Sequence, residues 1–475
     1  MVDYIVNVGL EIHVELATKT KIFCSCKNEF GAKPNTNVCP ICLGYPATLP
    51  AVNKNAVILA IKAGLALGSR ISPRLLFDRK HYFYPDLPKA YQISQDKLPL
   101  AIGGGIKLDS GKFVRFNHIH LEEDAGKLIH DPETNKTFID FNRAGLPLIE
   151  HVTEVDISNG AEAVEFLTKL KQKLIFAGVS NCRMECGQMR CDVNVSVRKT
   201  ENDPYGTKVE MKNLSSFKAV ASAIDYESKR QILELESGHK IVQETRKWDE
   251  QKNITTPMRK KEKAQDYRYM PEPDFVSINI SPSDIESIKN SMSGGIDELL
   301  EKYTTEYAIP LSYSKLLLSD KVTNNYFENC LKILFKPKEI SNWIVDELFK
   351  FKTGTSKNLN ELISEEYLCS IVNLLDQSKI TRTVAKTLLE QTILTKNNPI
   401  EIAKQNKLTG ISSEKICALV DAFLSQNPDL KAQYKQENKN EKIVNFVAGN
   451  IIKQTQGKAD PNTLKEYIKK QLKKR

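Results

Sequence analysis

Val8-Gly9-Leu10-Glu11-Ile12-His13-Val14-Glu15-Leu16 alternates between apolar and polar side chains from Leu10 onward. A period of two is that of a β-strand. Leu10, Ile12, Val14 and Leu16 therefore share one face, and Glu11, His13 and Glu15 the other. The aliphatic face belongs against a core. Two carboxylates and an imidazole at i, i+2 and i+4 suit a divalent cation, or a polyanion held through one. A half-exposed strand with a solvated polar face fits the same pattern, so the decision rests on the rest of the chain.

The chain has 475 residues, room for about three domains. Hydrophobic residues are 41% and charged residues 27%, which suits globular folding and excludes a disordered chain. No apolar run approaches the roughly 20 residues that span a bilayer. The N-terminus enters a strand pattern without a leader-like segment, so a cytoplasmic protein is expected. Over residues 2–275 short strands predominate, as in Lys112-Phe113-Val114-Arg115-Phe116, and helical spacing predicts helices over 55–67, 160–177 and 217–236. Beyond residue 284 strand signals vanish. Apolar residues then recur every three or four positions, predicting helices over 295–303, 311–318, 325–334, 340–351, 364–375 and 381–392. Gly103-Gly104-Gly105 reads as a hairpin turn.

The net charge of +9 is uneven: residues 406–475 hold 14 Lys and Arg against 7 Asp and Glu. The last helix has a start signal in Asp460-Pro461, with Leu464, Ile468 and Leu472 on one face and Lys465, Lys469 and Lys473 beside them. A polyanion-binding tail and a Lys-rich soluble surface both account for this.

Four of the ten cysteines, Cys24, Cys26, Cys39 and Cys42, are spaced as two pairs, with Pro40 inside the second. Paired thiolates suit a tetrahedral zinc, and four of them leave no open position, so the expected zinc is structural. Four unliganded buried cysteines are the alternative. Cys330, Cys369 and Cys417 stand alone in helical patterns and read as core residues.

Phe77-Asp78-Arg79-Lys80-His81-Tyr82-Phe83-Tyr84 interleaves charges with rings, as a surface that stacks a base and neutralises phosphate would, or as a loop with aromatic anchors. His120-Leu121-Glu122-Glu123-Asp124 places three acids in a row. Glu150 follows the apolar run Leu146-Pro147-Leu148-Ile149 and, once buried, needs a partner. One divalent-ion site built from Glu11, His13, Glu123 and Glu150 is the economical reading of these acids. Separate solvated carboxylates remain the alternative. Asp192, Asn194, Ser196 and Arg198 share a polar strand face, and Glu244-Thr245-Arg246 and Asp266-Tyr267-Arg268 offer arginines for phosphate. The Walker phosphate loop, H-E-x-x-H and G-x-S-x-G are all missing.

The runs 9–16, 77–95, 120–127, 142–150, 190–198, 212–217, 244–246 and 266–274, with Gly457-Lys458-Ala459-Asp460-Pro461 in the tail, together resemble the B-subunit family of the tRNA-dependent amidotransferases, the GatB/GatE family. The absence of an inserted synthetase-like domain resembles its GatB branch.

The resemblance implies an α+β architecture: a β-rich cradle domain with a zinc knuckle over 1–292, an all-α helical domain over 293–405, and a basic α-helical tail over 406–475 that binds tRNA. It implies an ATP-dependent carbon–nitrogen ligase. Such an enzyme phosphorylates the side-chain carboxylate of Glu-tRNA(Gln) or Asp-tRNA(Asn) and replaces phosphate with ammonia. The ammonia comes from a separate glutaminase subunit, and a third, small subunit makes up a heterotrimer. Magnesium would sit on Glu11, His13, Glu123 and Glu150, with Arg190 and Lys212 in the catalytic set. Lys80, Tyr82, Arg143, Arg246 and Arg268 would face ATP, and Cys24, Cys26, Cys39 and Cys42 would hold structural zinc. A zinc-containing tRNA-binding module without catalysis, and a stand-alone ligase using free ammonia, are the alternatives.

Overall fold

A computed structural model describes residues 4–260, 267–292, 294–353, 355, 357–377, 379–406, 413–436, 440–455, 459 and 461–473. They form two compact units, 1–296 and 297–475.

The strand expected at residues 8–16 is the longer strand Ile5–Glu15, and it lies inside a ten-stranded sheet. Pro147–Thr153 pairs antiparallel on one side of it and Met189–Arg198 on the other. Beyond Pro147–Thr153 come Phe113–Glu123, Ala101–Ile102 and Arg70–Ile71. Beyond Met189–Arg198 come Val209–Lys212, Glu244–Asp249 and Ile254–Lys260. Val209–Lys212 and Glu244–Asp249 run parallel. Parallel neighbours need a crossover, and the helix Phe217–Glu236 supplies it.

Helices cover one face of this sheet. Leu10, Ile12, Val14, Val193 and Val195 pack there with Ala60, Phe166, Leu170, Val220 and Ile224 from the helices Lys54–Ala66, Gly160–Phe176 and Phe217–Glu236. Each fully buried aliphatic side chain contributes roughly 1.5–3 kcal/mol. The helices begin where Asn53, Asn159 and Ser216 accept hydrogen bonds from free first-turn amides. Gly160 is required by close packing, since a Cβ there would lie 2.6 Å from the Ala221 carbonyl oxygen. The face without helices carries Glu11, His13 and Glu15, and parts of it are buried, His120 and Glu122 among them.

Gly103-Gly104 is not a hairpin turn. Ala101–Ile102 and Gly105–Lys107 both pair with Phe113–Glu123 in one unbroken register, and the Gly103 amide and Gly104 carbonyl bond to Asn117 and Phe116 between them, so the glycines continue one run along that strand. A Cβ at Gly104, with φ of +78°, would meet the Leu67 carbonyl oxygen at 2.5 Å.

The second unit is helical, so the α+β class expected from the sequence holds. Its last three long helices, Ser413–Gln426, Asn440–Gln454 and Pro461–Lys473, close a core of Ile416, Val420, Val447, Ile451, Leu464, Ile468 and Leu472. Asp460, Gly457 and Lys458 lie outside the described residues. Among the described residues no helix is long and apolar enough to cross a membrane.

Candidate active site

Antiparallel register brings distant residues together on the face without helices. His13 lies opposite Glu150, and Glu150 opposite His120. Two residues along the same strand as His120, Glu122 projects beside them. His13 Nε2 is 3.3 Å from Glu150 Oε2 and 3.5 Å from Glu122 Oε1. His120 Nε2 is 3.2 Å from the same Glu150 oxygen and 3.4 Å from Glu122 Oε2. Two imidazoles thus share two carboxylates. Burial works against charge on His120, yet the bonds and charges of Glu122 and Glu150 push its pKa up to about 10. Burial likewise opposes charge on Glu150, but His13 and His120 hold it well below the usual carboxylate range.

His13, Glu122 and Glu150 can each offer a ligand atom within 4.8 Å of the others. Neighbouring ligands on an octahedral ion with bonds of about 2.1 Å lie roughly 3 Å apart, close to the separations here. The buried His120 Nδ1 has no partner among the described residues. The donor set therefore fits a divalent cation.

Two of the four expected ligands, His13 and Glu150, meet in this cluster. Glu11 stays on the same face but accepts a hydrogen bond from Asn194 Nδ2 at 2.9 Å. Burial raises its pKa, and Glu150, Glu210 and Asp192 raise it further. Glu123 does not join the cluster. Adjacent residues on a strand face opposite ways, and Glu123 follows Ile119 and Leu121 to the covered side. There it pairs with Lys89 and accepts from the Ile93 amide. Glu122 and His120 take its place. The signal was in the apolar spacing of Ile119, Leu121 and the next odd position, which assigns Glu123 to the core side.

Around the cluster, Arg190 lies opposite His13. Arg190 Nη2 donates to Asp124 Oδ1 at 2.9 Å, and Arg143 Nε donates to the other oxygen of Asp124. Lys212 Nζ is 2.7 Å from Asp192 and 3.2 Å from Glu210. His13, Arg190, Asp192, Lys212, Asn213 and Ser215 line an open pocket of about 610 Å³. Lys80 sits 4.8 Å from the Tyr267 ring centre and 5.8 Å from that of Tyr82. Burial lowers its pKa, but Glu122, Tyr269 and Glu150 outweigh this.

Arg246 does not reach this face. It stands beside Met211 in the parallel pair, turned to the helices, where it binds Glu244, Glu227 and Thr255. Arg268 is exposed, and its carbonyl oxygen contacts His81 Nδ1. Asp266 lies outside the described residues.

The sulfurs of Cys24, Cys26, Cys39 and Cys42 lie within 4.8 Å of one another, as tetrahedral thiolate ligands require. The Cys39 amide donates to Cys42 Sγ at 3.2 Å. A hydrogen bond from Cys24 draws the Cys42 pKa down to about 4, with burial opposing and the Cys39 amide and Lys21 helping. The quartet fits zinc.

A polar sheet face with an acid–imidazole cluster able to hold a divalent cation, beside a cysteine quartet able to hold zinc, is the constellation of a ligase-type active site built on a sheet. The comparisons narrow the class. Residues 6–286 match the family described as the GatB/GatE catalytic domain, and residues 325–472 the GatB domain. The B subunit of the aspartyl/glutamyl-tRNA(Asn/Gln) amidotransferase of Caldanaerobacter subterraneus subsp. tengcongensis is 44% identical over 98% of this chain and 99% of its own length. The protein of the same name from Caldicellulosiruptor saccharolyticus is 45% identical over 99% of this chain and 100% of its own length. That from Thermodesulfovibrio yellowstonii is 43% identical over the same shares. The chain belongs to the GatB/GatE family, whose role is the amidation of misacylated tRNA by a glutamine-dependent, ATP-using ligase complex.

Proposed function

We propose that this chain activates the side-chain carboxylate of Glu-tRNA(Gln), Asp-tRNA(Asn) or both with ATP, and that ammonia then converts it to the amide. The observation that carries this reading is the convergence of His13, Glu122 and Glu150, with His120, beside the pocket of Arg190 and Lys212. His13, Glu122 and Glu150 would hold magnesium, which would supply charge neutralisation for the triphosphate. Lys80, Arg190 and Lys212 offset the remaining phosphate charge and orient the attacking carboxylate oxygen. That oxygen bonds to the γ-phosphorus, the bond to the bridging oxygen breaks, and ADP leaves. Ammonia adds to the acyl carbon, phosphate departs, and the surplus proton passes to the acidic lining of Glu11, Asp192 and Glu210. The sheet face keeps water from the acyl phosphate while the tRNA end is bound.

Ammonia is supplied by a separate glutaminase subunit. A third, small subunit joins the other two in a cytoplasmic heterotrimer. The basic tail holds the tRNA backbone. A catalytically silent tRNA binder accounts for the tail and cysteines but not for a buried acid–imidazole cluster, whose charges must be compensated.

The test is an amidation assay on the chain purified with its partner subunits, glutamine, magnesium-ATP and either misacylated tRNA. Glutamine or asparagine recovered after deacylation, and lost on omitting ATP, supports the reading. His13→Ala should abolish the amide while tRNA binding stays near normal. If both fall together, the strand is structural and the catalytic assignment fails.

A further inference from the structure

Lys21 is fully buried. Among the described residues it forms no ion pair with a carboxylate. Its Nζ donates to the Phe141 carbonyl oxygen at 3.1 Å and lies 3.6 Å from Cys42 Sγ. A buried ammonium needs a compensating negative charge. Four neutral thiols are weak acceptors and supply none. Four thiolates on a divalent zinc leave a net charge of about −2. Loading the quartet with metal therefore fixes a surplus of negative charge beside Lys21, in a pocket that Lys89 and Glu123 also line.

The second bond of Lys21 leads elsewhere. Phe141 opens a turn that carries Asn142 and Arg143, closed by the Ala144 amide on the Phe141 carbonyl at 3.1 Å. The cysteine loop grips this turn independently. The Asn37 amide donates to Asn142 Oδ1 at 2.8 Å, and the Phe141 amide donates to Asn35 Oδ1 at 2.8 Å. Arg143 in turn holds Asp124, which holds Arg190 at the pocket beside His13.

We propose that Lys21 is a positioning residue that balances the charge of the metal-loaded cysteine quartet and ties it to the turn bearing Arg143, so that zinc loading orders the Asp124–Arg143–Arg190 cluster. The activity part of this inference rests on the amidation reading; the metal part does not. Lys21→Met removes the charge at nearly constant length and suits a buried position. Lys21→Arg keeps the charge.

The experiment uses the full-length chain with its partner subunits. Zinc release to a chromogenic chelator is timed, and the cobalt-substituted protein is examined for its thiolate charge-transfer band. Lys21→Met should release zinc at least about tenfold faster, the usual cost of losing a partner just outside a metal's ligands, and should shift the cobalt band. Lys21→Arg should restore both. Asn35→Ala, which removes the loop's grip on the Phe141 amide and leaves the charge of Lys21 in place, should keep wild-type zinc release but raise the KM for misacylated tRNA. Wild-type release and an unshifted band in Lys21→Met would overturn the charge-balancing role. A wild-type KM in Asn35→Ala would overturn the tie. If the wild-type complex makes no amide, the amidation reading fails, while zinc release still decides the role of Lys21.

Discussion

Glu122 and Glu123 are neighbours in sequence with opposite surroundings. Glu122 faces two imidazoles on the polar sheet face, and Glu123 faces Lys89 on the covered side. Glu122→Gln should weaken manganese or magnesium binding by an order of magnitude or more, read by titration, and, because Glu122 is a buried partner of His13 and His120, should also lower the unfolding midpoint. Glu123→Gln strands a buried ammonium and should lower stability by about 3 kcal/mol in urea melts. His151 offers a second contrast. Buried beside Phe116, with Nδ1 3.3 Å from the Ile12 carbonyl oxygen and Nε2 unpartnered among the described residues, it is held neutral. Burial pulls its pKa down to about 4 from 6.5. Between those pH values the unfolded chain binds the proton and the native chain does not. Native stability is therefore full above pH 6.5 and falls as pH drops toward 4, by about 3 kcal/mol in all. Urea melts at pH 4.5 and 7 should show this slope, and His151→Phe should flatten it.

The helix Phe217–Glu236 closes the parallel crossover over a buried ion network. Glu227 accepts from Arg230 and Thr255, with Arg246 3.6 Å away. Because Arg246 belongs to this network and not to the polar face, Arg246→Met should cost about 3–5 kcal/mol and leave the KM for ATP of the folded enzyme unchanged. A raised KM at intact stability would return Arg246 to the phosphate set. The helix Lys54–Ala66 depends on Asn53, which caps its first turn and donates to Thr20 Oγ1 at 2.9 Å, joining the helix to the cysteine-bearing loop.

On the proposed reading, the polar sheet face carries the chemistry and the basic tail holds the tRNA. Residues 406–475 carry an excess of cations, and the helices from Ser413 onward close their own apolar core. Deleting residues 407–475 should weaken tRNA binding and reduce its salt dependence, since each lost phosphate contact removes about one unit of slope. Magnesium binding at His13 should persist in the same truncated chain. An unchanged salt slope would place the phosphate contacts outside the tail.

Alternation in residues 8–16 was enough to put Leu10, Ile12 and Val14 in the core and His13 on the opposite, polar face, because strand geometry alone decides which side chains share a side. The cysteine spacing disclosed the zinc knuckle for the same local reason, and the recurrence of family-like runs in order disclosed the family. Register was not legible. The ladder between Pro147–Thr153 and Phe113–Glu123 slips at a bulge between Val152 and Thr153, and on the site side of that bulge Glu122 and His120 share a face with Glu150, while Glu123 does not. The turning of Arg246 toward the helices likewise depends on its parallel partner Met211. Local sequence dictates which face a side chain takes within its own strand. Which strands meet, and at what offset, is decided by long-range packing and hydrogen bonding, and the His13–Glu122–Glu150 cluster is built across that offset.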